Sequence, residues 1–312
     1  MRLARLAAAA LVVWGALALA QEPPKQVERG VPIRPMTIYQ APATDSARLG
    51  EVPRGRETPI LEKTPGWLHV FVTTDQNKNV SGWIEDKGVV RATTPNGDRI
   101  LFGEAVDSEA EAQKRHGRKG AERDAARLYM RIAEYFPNSP LAAEAHYRAA
   151  DIVWQIDSVD VWTRASAREE NPSMRAQIPE DEMKKVRKKY PGTKWADLAD
   201  YNLLDNKICG DWQGKSRCPE KETELYTKYA DEHPKSPKAA EALYNAAWRQ
   251  SALVEIYKTE GDNGKSAGAK GKAVSLAQRI TTTYPESDYG PRATRLIYLV
   301  EQGLPTYGAP SD

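Results

Sequence analysis

The chain has 312 residues, 40% hydrophobic and 28% charged, enough for two modest domains and a composition that excludes wholesale disorder. Its formal net charge is +2, and setting aside Arg2 and Arg5 lowers the 45 basic residues to 43, equal to the 43 acidic ones. A formally neutral chain lacks the basic surface that general polyanion binding needs, so no nucleic-acid partner is expected.

Residues 1–20, MRLARLAAAALVVWGALALA, combine those two arginines with an apolar run from Leu6 to Leu17 and the small-x-small ending Ala18-Leu19-Ala20. This is the pattern of a secretory signal peptide, with cleavage expected before Gln21. The apolar run is short against the roughly 20 residues needed to span a bilayer. The expectation is an exported chain, periplasmic or envelope-associated, with no integral membrane segment after cleavage.

From 31 to 92 the chain alternates short β-prone runs with turn signals: IYQAP, ARLGEVPRGRETPILEK, GWLHVFV and VSGWIEDKGVV. Such spacing predicts a small, strongly bent β-barrel. Tyr39 and Pro42, Gly55 before ETPILE, the pair Gly66-Trp67, then Gly82-Trp83-Ile84 with Val89 and Val90, resemble a bacterial SH3-like domain. The segment TTDQNKN at 73–79 lengthens the hairpin before the second Gly-Trp pair. Trp67 and Trp83 are expected to fill a core too small to waste apolar area, the other reading of the pair being a stacking surface for a ligand. The resemblance implies an envelope protein and a domain type that in some members contacts cell-wall peptide or glycan.

A linker is expected at 93–102, then helices over 103–302 and a tail at 303–312. Four places repeat an aromatic residue or histidine, proline, and then serine or threonine two residues on, with prolines at Pro137, Pro191, Pro234 and Pro285. Eight residues after each proline stands an alanine: Ala145, Ala199, Ala242 and Ala293. Proline ends one helix, the hydroxyl residue can cap the next, and small residues on one face let helices approach closely. The pattern resembles the tetratricopeptide-repeat superfamily, in particular the divergent repeats of bacterial envelope proteins. The prolines lie 54, 43 and 51 residues apart, beyond that family's period of about 34, and the excess is expected as loops at 157–180, 209–221 and 261–270. The fold class read from all this is a multidomain β + α chain: a small SH3-like β-barrel followed by an α-helical TPR-like solenoid.

Cys209 and Cys218 fall within ICGDWQGKSRC and are expected to form a disulfide in an oxidising compartment. The spacing is not C-x-x-C, and zinc would need ligands that four scattered histidines do not supply, so no metal site is expected. Gly264-Lys265-Ser266 mimics the end of a phosphate loop, but Thr259 stands where that loop needs glycine. KRHGRK at 114–119 reads as a solvated turn. With no paired-histidine motif, nucleophile elbow or marked acid/base pair, no catalytic residue and no cofactor are expected.

Ten residues after the first three prolines stand Tyr147, Tyr201 and Tyr244, and one turn on stand Asp151, Asp205 and Trp248. They are the candidate partner-binding residues, lining a groove for an extended peptide along the first helix of each unit. The other reading of the same register is packing against the adjoining repeat. Together these expectations describe an exported, non-catalytic envelope scaffold that holds a protein or peptide through its helices. The alternative is a peptidoglycan-binding accessory protein that uses the SH3-like domain.

Overall fold

The computed structural model describes residues 27–74 and 78–307. The signal peptide with its cleavage point, the centre of the 73–79 insertion and the end of the tail lie outside the described residues.

Seven strands come first: β1 (Arg29–Pro32), β2 (Met36–Tyr39), β3 (Arg48–Val52), β4 (Thr58–Thr64), β5 (Trp67–Thr73), β6 (Asn79–Glu85) and β7 (Val89–Val90). They form one antiparallel sheet in the order β3-β2-β6-β5-β4-β1-β7. Strands β3 and β7 are its two ends, so the domain is a curled sheet, half of the small bent barrel that was expected. The physical reason lies at the short β7, where Val31 and Val90 turn into a core shared with the helices. Inside the curl, Ile38, Val52, Ile60, Leu68, Val70, Val72, Ile84 and Val89 form the sheet's own core.

Nine α-helices follow among the described residues: α1 (Gly97–Ala112), α2 (Ala121–Tyr135), α3 (Ala142–Thr163), α4 (Asp181–Lys189), α5 (Lys194–Asn202), α6 (Arg217–Glu232), α7 (Ala239–Thr259), α8 (Asn263–Thr283) and α9 (Tyr289–Glu301). Each signature proline precedes one of α3, α5, α7 and α9. At α5 the Thr193 hydroxyl accepts the Ala196 N–H at 3.3 Å, a true N-cap. Apart from α5 and α6, helices neighbouring in sequence pack pairwise, and α3 also touches α5 as α7 touches α9. The four marker alanines are fully buried, each with 0% of its surface exposed, which lets those backbones approach.

Two expectations are corrected here. The linker is only half as long, because α1 starts at Gly97, where a Cβ would sit 2.4 Å from the Phe136 ring. The 261–270 loop does not exist: α8 absorbs it, with the Asp262 carboxylate accepting the Lys265 N–H and buried Ser266 donating to the Val254 carbonyl at 2.9 Å. The other two loops are shortened from one end, since α3 runs to Thr163 and α6 begins at Arg217.

Sheet and helices are packed against each other. Val31 and Val90 share a core with Leu101, Ala105, Leu128 and Ile132. Gly55, at φ +73, lets the turn before β4 lie on α2, where any Cβ would meet the Arg127 Cβ at 2.8 Å. Polar ties surround the contact: Arg127 Nε donates to the Arg54 carbonyl at 3.1 Å, Arg54 Nη1 to Ser108 at 2.8 Å, and the Tyr135 hydroxyl to Glu57 at 3.0 Å.

Candidate functional site

Side chains alternate across a strand, so Leu68, Val70 and Val72 of β5 pointing inward force Trp67, His69 and Phe71 outward. In β6, Ile84 is inside and Trp83 outside. Trp67 and Trp83 were expected in the core and instead stand half-buried on the outer face, because aliphatic neighbours already fill the inner positions. There they form an aromatic row. Tyr39 meets Trp67 edge to face at 5.6 Å, and His69 stacks on Trp83 at 4.9 Å and 18°. In the strand register Tyr39 pairs with Trp83, and Trp67 with Glu85.

Beside the row opens a cleft of about 470 Å³, lined by Ile33, Arg34, Met36, Tyr39, Glu85 and Lys87 among others. Tyr39 belongs to both, so aromatic faces, a carboxylate and two cations border one surface. Such a surface offers flat apolar faces for stacking and charged groups for orientation.

Residues 35–90 match the bacterial SH3 domain family. The row and the cleft both lie on this SH3 domain, apart from Ile33 and Arg34 just before it. No curated protein matches the chain. Among solved structures, a DHF79 filament is similar at 16% identity over 64% of this chain and 96% of that chain, with a TM-score of 0.22.

The helical candidates fall into separate clusters. Tyr147 is buried, 5.6 Å from Trp195, and its hydroxyl reaches Asn202 Oδ1 at 3.5 Å. Asn202 Nδ2 donates to Asp151 at 2.6 Å, and Trp154 Nε1 donates to Asp205 at 3.0 Å, so Tyr147, Asp151 and Asp205 join α3 to the end of α5. Tyr201 lies against Tyr229 and Tyr226 at 5.1 and 6.2 Å. Its hydroxyl donates to Glu241 at 3.0 Å and accepts from Asn245 at 3.1 Å, tying α5 to α7. Tyr244 packs on Tyr289 at 5.4 Å, and Trp248 on Trp212 at 5.3 Å. The three tyrosines thus link α3 to α5, α5 to α7 and α7 to α9, and burial pushes the Tyr147 and Tyr201 phenols far above their usual range, leaving both as neutral donors.

Residues that the sequence did not mark hold these clusters together: Asn202, Glu241, Asn245, and above all Glu222 and Arg249. The disulfide between Cys209 and Cys218 closes the loop before α6, with Cα atoms 6.1 Å apart. Glu222 accepts the Cys209 N–H at 2.8 Å and the Trp212 Nε1–H at 3.3 Å, and pairs with Arg249 Nε at 2.6 Å. Arg249 in turn lies 4.5 Å from the Tyr226 ring centre. A carboxylate written among lysines and glutamates carries no signal that it will be buried. Among the described residues there is no His/Cys/Asp/Glu group that could hold a metal ion, and no helix long and apolar enough to cross a membrane.

Burial holds the Asp205 carboxyl above its usual range, partly offset by the Trp154 N–H. A raised folded pKa means that the folded state takes up a proton at a pH where the unfolded chain is still ionised, so this group favours folding as pH falls and costs stability when charged at neutral pH. Asp205→Asn is therefore expected to raise the melting temperature at pH 7 and to leave it nearly unchanged at pH 4. Chemical or thermal unfolding at the two pH values checks this.

Proposed function

We propose that the protein is an exported component of the bacterial cell envelope that binds the cell wall through the outer face of its SH3 domain and carries its helices as a non-catalytic, TPR-like scaffold. The observation that carries this reading is the half-buried outer-face row of Tyr39, Trp67, His69 and Trp83 beside the Tyr39–Glu85–Lys87 cleft. Large aromatic faces left partly in water on a small domain are matched to ligands with flat apolar surfaces, and the ring faces of glycan sugars are such surfaces. A disulfide inside the chain supports residence outside the reducing cytosol. The alanine seam and the recurring Pro-x-Ser/Thr punctuation support the repeat reading of the helices, whose partner is an envelope protein or peptide.

Sedimentation of the mature chain with purified cell-wall sacculi tests the wall-binding half. Trp83→Ala is expected to weaken binding by at least ~2 kcal/mol, about thirtyfold, as removal of a central aromatic anchor does. Its side chain is outside the core cluster, so the melting temperature should change little. Sedimentation equal to that of the unaltered chain, or absent in both, overturns the assignment.

A further inference from the structure

Helix α9 ends at Glu301, and Gly303, at φ +69, turns the chain back. The Leu304 N–H donates to the Leu299 carbonyl at 2.9 Å and closes the helix end. Beyond the turn the tail lies across α7 and the disulfide loop. Thr306 Oγ1 and Ser251 Oγ are 2.7 Å apart, and the Tyr307 ring lies 5.4 Å from that of Trp212 at 37°. Trp212 has Trp248 on its other contact at 5.3 Å, so three rings stand in a row with Trp212 in the middle.

The two sides of this contact are built differently. Trp212 is held by its N–H bond to the buried Glu222, its loop is closed by the disulfide, and the Arg249 guanidinium lies 5.7 Å from its ring and 5.8 Å from that of Trp248. Ser251 is fixed by donating to the Trp248 carbonyl at 2.7 Å. The tail brings one hydroxyl and one aromatic ring on a short, bent stretch that begins with a proline, whose fixed φ lowers the cost of ordering it. A preorganised receptor facing a short segment with two anchors is the arrangement of a peptide site with its ligand in place.

We propose that Trp212, Trp248 and Ser251 form a docking site for a short peptide presenting a hydroxyl side chain followed by an aromatic residue, and that residues 305–307 of the same chain occupy it in cis. This goes beyond the wall-binding reading and does not depend on it. A tether of a few residues supplies an effective concentration on the order of millimolar, enough to keep a weak contact filled. A partner with the same chemistry and more contacts displaces the tail, so the tail sets a threshold for capture by the helices.

The test uses the full mature chain and a labelled peptide of sequence Gln-Gly-Leu-Pro-Thr-Tyr, copied from residues 302–307. Tyr307→Ala, which alters only the tail, should bind the peptide saturably, and the unaltered chain should bind it at least fivefold more weakly. A peptide ending in alanine instead of tyrosine should bind neither. Equal binding by the two chains, or none by Tyr307→Ala, overturns the proposal. Concentration-dependent dimerisation of the unaltered chain that Tyr307→Ala abolishes would assign the tail to a second copy and overturn its occupancy in cis.

Discussion

Glu222→Ala is expected to lower the free energy of unfolding by about 3 to 5 kcal/mol, the cost of stranding one member of a buried ion pair. Glu222 is 1% exposed and Arg249 8%, so the guanidinium left behind cannot recover water. The same change leaves the Cys209 and Trp212 N–H groups without their acceptor. Loss of the charge alone is separable: Glu222→Gln keeps an acceptor oxygen and should cost less than alanine. A double replacement of Glu222 and Arg249 by leucine and methionine should recover the part of the loss due to the stranded guanidinium, while the Cys209 and Trp212 N–H groups stay without their acceptor. Denaturant unfolding of the three variants checks this ordering, and a Glu222→Ala chain as stable as the parent contradicts the clamp described for the disulfide loop.

Leu128→Ala is expected to cost about 2 to 5 kcal/mol, the transfer and cavity terms of a fully buried leucine. Its location makes the outcome informative beyond the magnitude. Leu128 lies on α2 in the core that also holds Val31 and Val90 of the sheet with Leu101 and Ala105 of α1. Because the SH3 domain and the first helices share that core, the sheet should lose stability together with the helices. The indole N–H proton resonances of Trp67 and Trp83 follow the sheet on heating, and far-ultraviolet circular dichroism follows the helices. Both signals should shift to lower temperature in the variant, and a sheet transition unmoved by Leu128→Ala would show that the shared core does not couple the two parts.

How much of this was legible in the sequence depends on the range of the physics involved. The period-two alternation of LHVFV, the prolines that end α2, α4, α6 and α8, the hydroxyl that caps α5 and the alanines that let helices touch act between residues a few positions apart. A single sequence therefore determined that a small β domain precedes a series of helices, where those helices break, and which alanines are buried. It also paired Cys209 with Cys218, because no other cysteine exists. The 261–270 segment was misread because its glycines and lysines suit an exposed helix face as well as a loop. Which of two large apolar neighbours, Trp67 or Leu68, enters the sheet's core is not written locally, since either alternation set could face inward. Only the direction of the curl chose the leucine and left the tryptophan on the outer face. The ending of the sheet at half of the expected barrel, the burial of Glu222 against Arg249 27 positions away, and the docking of Arg127 on Arg54 across 73 positions were likewise decided by tertiary structure. These are contacts between distant segments, and the desolvation that gives them their energy exists only once the chain has brought the two sides together.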